Sequence, residues 1–143
     1  MPAFEISGRA IEVATLREAL LGTSAGAYAS FEGWVRDHND GREVLALRYE
    51  SYRVLAETEG GSILVEAGQR FQIQGAACVH RVGRLQLGEL AVWVGVSAAH
   101  RGPAFDACRW IIDQVKSRVP IWKHEHYAQG GQSWLHPDQA DRG

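Results

Sequence analysis

Basic charge is not in excess in this chain: 15 Lys and Arg stand against 17 Asp and Glu, for a formal net charge of −2. A small domain built to bind nucleic acid broadly is plainly basic, so any anion recognition here must be local. Long apolar runs are also missing. No window approaches the roughly 18 apolar residues that span a bilayer. The N-terminal "MPAFEISGRAIEV" has neither the basic start nor the apolar core of a signal peptide, so a cytoplasmic location away from membranes is expected. Cysteine is scarce. Cys78 and Cys108 sit in apolar segments without CxxC spacing, as buried small hydrophobes do. A catalytic thiol is the lesser reading, because neither is flanked by an activating cluster. The chain has no Gly-rich loop followed by Lys-Ser/Thr, no GxSxG and no HExxH, which leaves an ordinary nucleotide triphosphatase or serine hydrolase with little support.

What remains is an ordinary globular composition, 45% hydrophobic and 22% charged. A length of 143 residues fits one domain over 1–143 that buries a proper core, with the polar "HPDQADRG" at 136–143 as a frayed tail. "FEIS" reads as a short strand and "ATLREALLG" as a short helix ended by Gly22. "GAYASFEGWVRD" has strand character, with Gly33 marking a bulge or a close backbone approach. The turn "HNDG" leads to the alternating "VLALRYES". Residues 52–71 have helical spacing through Leu55, Ile63 and Ala67, weakened by Gly60-Gly61. "AACVHRVG" and "LAVWVGVSA" are the clearest strands, separated by a corner with Gly83 and Gly88. The best helix runs from Pro103 to Val119, with Phe105, Cys108, Ile112, Val115 and Val119 as its apolar stripe and Pro120 as its stop. "IWKHEHYA" is a last long strand, with "SWL" as its return. Strands grouped with few helices argue for an α+β fold with a mainly antiparallel sheet and two or three helices.

Charged side chains stand in special settings at four places. In "SAAHRGPAF", His100 and Arg101 lie where a strand hands over to a helix N-terminus. That junction is either a polar loop or an anion site, since the first N–H groups of a helix lack partners and carry partial positive charge. Arg36 ends a strand beside the turn residues His38 and Asn39, where it either binds an anion or pairs with a carboxylate. Lys116 follows Ile112 by four residues and so flanks the apolar stripe of its helix, while Lys123 lies on a strand between Trp122 and His124. A partly desolvated lysine exchanges protons near neutral pH; the plainer reading is a snorkelling surface side chain. His80 and Arg81 read as strand surface or structural contacts. His124 and His126 share one strand face, as zinc ligands can, but no spacing fixes a third ligand and no metal is assigned.

"FEGWVRDHNDG", "LRYESY", "VHRVGRLQLGELAVWVGVSAAHRGPAF" and "DQVKSRVPIWKHE", in this order and spacing, resemble the large, catalytic subunit of molybdopterin synthase, the MoaE family. The resemblance runs from about Gly26 to Trp134. It implies an α+β, hammerhead-type subunit and a sulfurtransferase that needs no cofactor. The implied partners are a second copy, forming the homodimer core of a heterotetramer, and a small ubiquitin-like carrier. That carrier brings sulfur as a thiocarboxylate on its C-terminal Gly-Gly. The implied substrate is cyclic pyranopterin monophosphate, converted to the dithiolene of molybdopterin. By matching motif, Lys116 and Lys123 are the catalytic lysines and also contact substrate, while Arg36, His100 and Arg101 bind its phosphate. In the family the pocket draws on both subunits, so His100 and Arg101 would serve the neighbouring chain. His124 departs from the basic residue of many relatives and makes the charge near Lys123 pH-dependent. A scaffold that docks a ubiquitin-like partner without chemistry is the alternative, and the presence of both lysines weighs against it.

Overall fold

A computed structural model describes residues 3–39, 41–128 and 131–135, and the side chains of all of these but Gln132 and Ser133. The tail expected at 136–143 lies outside the described residues. Twelve elements follow in chain order: β1 (Ala3–Ser7), α1 (Val13–Leu20), β2 (Ala27–Trp34), β3 (His38–Asn39), β4 (Arg42–Ser51) and α2 (Arg53–Arg70), then β5 (Gly75–Arg81), β6 (Gly83–Leu85), β7 (Leu90–Ala98), α3 (Arg101–Arg118), β8 (Ile121–Tyr127) and β9 (Gln132–Leu135). Among the described residues no helix is long and apolar enough to cross a membrane.

Two sheets form. The first has the order β1-β5-β7-β2, parallel only between β1 and β5. Both faces of β7 are buried, which its unbroken apolar run demands. Val92, Val94 and Val96 join α2 and α3 in the main core, and Trp93 packs with Ala77 and Val79 beneath α1. The second sheet runs β3-β4-β8-β9, with β8 along one edge of β4 and the short β6 along the other. Gly83 and Gly88 take positive φ at the corner between β5 and β7, where a side chain would be strained.

Two stripes differ from expectation. In α2 Ile63 and Ala67 are buried with Ala56, Gly60 and Leu64, while Leu55 is exposed. A Cβ on Gly60 would run into the ring of Phe4, so the glycine lets β1 lie close on the helix. In α3 the helix starts at Arg101, two residues before Pro103, and Phe105 is 64% exposed. Cys108, Ile112, Val115 and Val119 are buried as expected, joined by Ala104, Ala107 and Ile111, and the small residues let the helix approach the sheet. Gly33 serves both expected purposes. The β2–β7 register shifts between Gly33 and Trp34, and a Cβ on Gly33 would stand 2.7 Å from Val92 Cγ1.

Candidate active site

Strand β8 brings charge inside. Its alternation turns Ile121, Lys123, Glu125 and Tyr127 to the buried side, leaving Lys123 only 8% and Glu125 only 2% exposed. Lys123 Nζ stands 3.6 Å from Glu125 Oε2. Burial holds the Lys123 ammonium below the ordinary amine range, the Glu125 carboxylate pulls it back up, and the charge of Arg36 pushes it down again.

Glu125 is itself anchored. Its Oε1 accepts from Asn39 Nδ2 at 3.0 Å and from the Tyr127 hydroxyl at 2.9 Å. Asn39 in turn accepts from Arg36 Nη2 at 3.3 Å. The turn after β2 is thereby tied to β8, with Arg36 directed along the same network. A carboxylate taken out of water needs such donors; without them the neutral acid would be favoured.

Arg36, Lys116, Lys123 and Glu125 all line one pocket of about 190 Å³. Its apolar walls include Phe31, Leu47, Val92, Ile112 and Ile121. The pocket lies where the two sheets meet the C-terminal half of α3. Lys116 reaches it because Ile112 and Val115, on the same side of the helix, already face it. Tyr49 and His80 complete the lining and meet edge-on, with ring centroids 4.8 Å apart. Burial and the Glu125 charge push the Tyr49 hydroxyl well above its usual range, which keeps it a neutral phenol. Strongly perturbed titratable groups gathered in a cleft are what acid–base chemistry requires.

His100 and Arg101 are elsewhere. His100 caps α3 without a side-chain hydrogen bond, Arg101 is the first helical residue, and both are exposed. The fifteen residues from Arg101 to Lys116 rise about 22 Å along the helix axis. Within one chain, three of the five expected site residues meet and this pair does not join them. His124 and His126 face away from the pocket; His124 stacks on Trp134 with centroids 4.4 Å apart. Among the described residues no three His, Cys, Asp or Glu gather as a metal site. Both cysteines are buried outside the pocket, and burial pushes Cys108 up to about 11 and Cys78 further still.

Sequence reading missed Glu125, Asn39, Tyr49 and His80. For His80 only one of the two expectations fails: it is 4% exposed and not strand surface, its contacts with the Arg81 carbonyl and Tyr49 are structural, and it also lines the pocket. Glu125 had a signal, since it shares the parity of Ile121, Lys123 and Tyr127.

A model of the MoaE protein family matches residues 6–118. The chain belongs to the MoaE family. It is 43% identical over 130 residues to the molybdopterin synthase catalytic subunit of Thermoplasma volcanium, covering 91% of this chain and 95% of that one. The crystal structure of molybdopterin synthase from Staphylococcus aureus superimposes with a TM-score of 0.87 at 34% identity, over 92% of this chain and 96% of that one. A chain in the complex of subunits 1 and 2 of the molybdopterin-converting factor from Helicobacter pylori shares the fold, with a TM-score of 0.74 at 19% identity, over 98% and 92%. The family match takes in Arg36, His80, His100, Arg101 and Lys116, and ends before β8.

Proposed function

We propose that this MoaE-family chain is the catalytic subunit of a molybdopterin synthase, moving sulfur from the thiocarboxylate of a small ubiquitin-like carrier onto cyclic pyranopterin monophosphate. The observation that carries this reading is the convergence of Lys116, Lys123 and Arg36 on one apolar-walled pocket, with the buried Lys123 held by Glu125. Both reactants are anionic. Three cationic side chains in a partly dry site attract them and stabilise charge on thiocarboxylate and substrate oxygens far better than in water. Because sulfur arrives already activated on the carrier, the chain needs no thiol of its own, in keeping with two buried cysteines whose protons are held tightly.

Lys116 and Lys123 are the proton-transfer and charge-stabilising groups in this reading, and Arg36 grips an anionic oxygen. The carrier's Gly-Gly tail reaches the lysines by threading into the pocket, where the absence of side chains suits a narrow entrance. His100 and Arg101 hold the substrate phosphate in the pocket of a second copy, the two copies forming the core of a heterotetramer with two carriers.

The test is reconstitution. Purified chain, thiocarboxylated carrier and cyclic pyranopterin monophosphate are combined and dithiolene product is assayed. Wild type is expected to form product, and Lys116→Ala to fold normally while losing turnover at least a hundredfold, the usual scale for a general acid–base group. Near-normal activity in Lys116→Ala would remove that lysine from the mechanism. No product from either protein, with carrier shown to bind, would favour the non-catalytic scaffold.

A further inference from the structure

The proposed chemistry gives His80 of the pocket wall no task. His80, near the end of β5, is 4% exposed, and its Nδ1 lies 2.7 Å from the carbonyl oxygen of Arg81. A carbonyl only accepts, so Nδ1 carries the proton. Burial, with the charges of Lys116 and Lys123 adding to it, pushes His80 down to about 4, against the opposing pull of the Arg81 carbonyl. The ring is therefore neutral near pH 7 and Nε2 is a bare acceptor. Among the described residues no hydrogen bond reaches Nε2.

The rest of the lining makes this atom distinctive. Arg36, Lys116, Lys123 and the neutral Tyr49 phenol all carry protons to donate. The other strong acceptor, Glu125, is already engaged by Asn39 and Tyr127 at Oε1 and faces Lys123 from Oε2. A purely anionic ligand would satisfy the donors and leave Nε2 unmatched at the wall.

Building on the function proposed above, we infer that His80 is a ligand-binding residue whose Nε2 accepts a hydrogen bond from an N–H of the bound molecule. The pocket thus reads two features together: an anionic group for its cations and an N–H for its single neutral nitrogen acceptor. Two reactants offer such a donor, the ring system of the pterin and the peptide backbone of the Gly-Gly tail. A site built to receive an N–H discriminates against analogues that lack one, because a ligand that displaces water from the pocket then leaves the acceptor without a partner.

Affinities of the full chain for cyclic pyranopterin monophosphate and for the Gly-Gly carrier separate these sources. His80→Asn keeps an amide N–H near the position of Nδ1, facing the Arg81 carbonyl, and deletes Nε2. His80→Gln extends an amide oxygen toward the place of Nε2. The Asn variant is expected to melt close to wild type and to bind one ligand about five- to tenfold more weakly, the scale of one hydrogen bond, with partial recovery in the Gln variant. Weakened pterin binding assigns the ring N–H; weakened carrier binding assigns the peptide N–H. Unchanged affinity of a folded His80→Asn for both ligands overturns the inference alone, while wild type that binds neither ligand overturns the proposed function with it. Should the Asn variant not fold, the ¹⁵N resonance of His80 Nε2 in wild type decides. It must move when one of the ligands is added, and a signal that ignores both overturns the inference.

Discussion

Lys123 stands under opposing influences, with burial and Arg36 disfavouring its proton and Glu125 favouring it. The sign of a pH effect follows. Glu125→Gln keeps an amide oxygen to accept from Asn39 and Tyr127 but removes the negative charge, so Lys123 loses its proton at lower pH than in wild type. If turnover uses the ammonium form, the alkaline limb of the kcat/KM profile moves toward lower pH in this variant, and the acid limb stays. A rate profile measured from pH 6 to 10 checks this, and an unmoved alkaline limb would show that Glu125 does not support the charge of Lys123. At this scale the sequence disclosed the cations and hid their supports. Arg36, Lys116 and Lys123 are recognisable by type and by motif. His80 and Tyr49 become site residues only because sheet pairing and the end of α3 bring β2, β4, β5, β7, α3 and β8 to one cavity, which local spacing does not encode.

The elements themselves were largely readable, because their periods are strong. β7 and β8 are found where alternation places them, and the helix at 52–71 exists despite its paired glycines. The stripes of α2 and α3 were read less well. Leu55 belongs to the helical spacing of α2 and Phe105 to the apolar stripe of α3, yet both are exposed, whereas close packing selects Ala56, Gly60, Ala104 and Ala107. Small residues give little hydrophobic signal in a sequence yet mark where backbones approach. The adjacent Gly60 and Gly61 of α2 make the point testable. A Cβ at Gly61 meets nothing within 4 Å, so Gly61→Ala should stabilise by about 0.5–1 kcal/mol through helix propensity. At Gly60 the same substitution forces the Phe4 ring aside, and overpacking of about 1–3 kcal/mol outweighs that gain. Urea midpoints of the two variants should therefore move in opposite directions from wild type. A stabilised Gly60→Ala would mean that β1 yields at little cost.

At the scale of the whole molecule, the separation of His100 and Arg101 from the pocket distinguishes a self-contained subunit from a shared site. If they serve a second copy, Lys116→Ala and Arg101→Ala are each inactive alone but complement each other. A hybrid dimer then holds one pocket with both residues intact and one lacking both, so randomly exchanged subunits should recover roughly a quarter of wild-type turnover. Mixed variants that stay as inactive as either parent would confine Arg101 to its own chain or to another role. This proposal comes to the sequence only through the family resemblance, because no local pattern says which copy a surface arginine serves. It also turns α3 into a measuring rod. With Lys116 near one end and Arg101 at the other, the helix would set, under the shared-site proposal, how far a subunit's own pocket lies from the one it serves. One residue inserted between them would swing Lys116 about 100° around the axis, out of the cleft, and a whole extra turn would restore its bearing while pushing it about 5.4 Å too far. Loops elsewhere can grow or shrink at modest cost, whereas a shared site would make the length of this rod part of the chemistry.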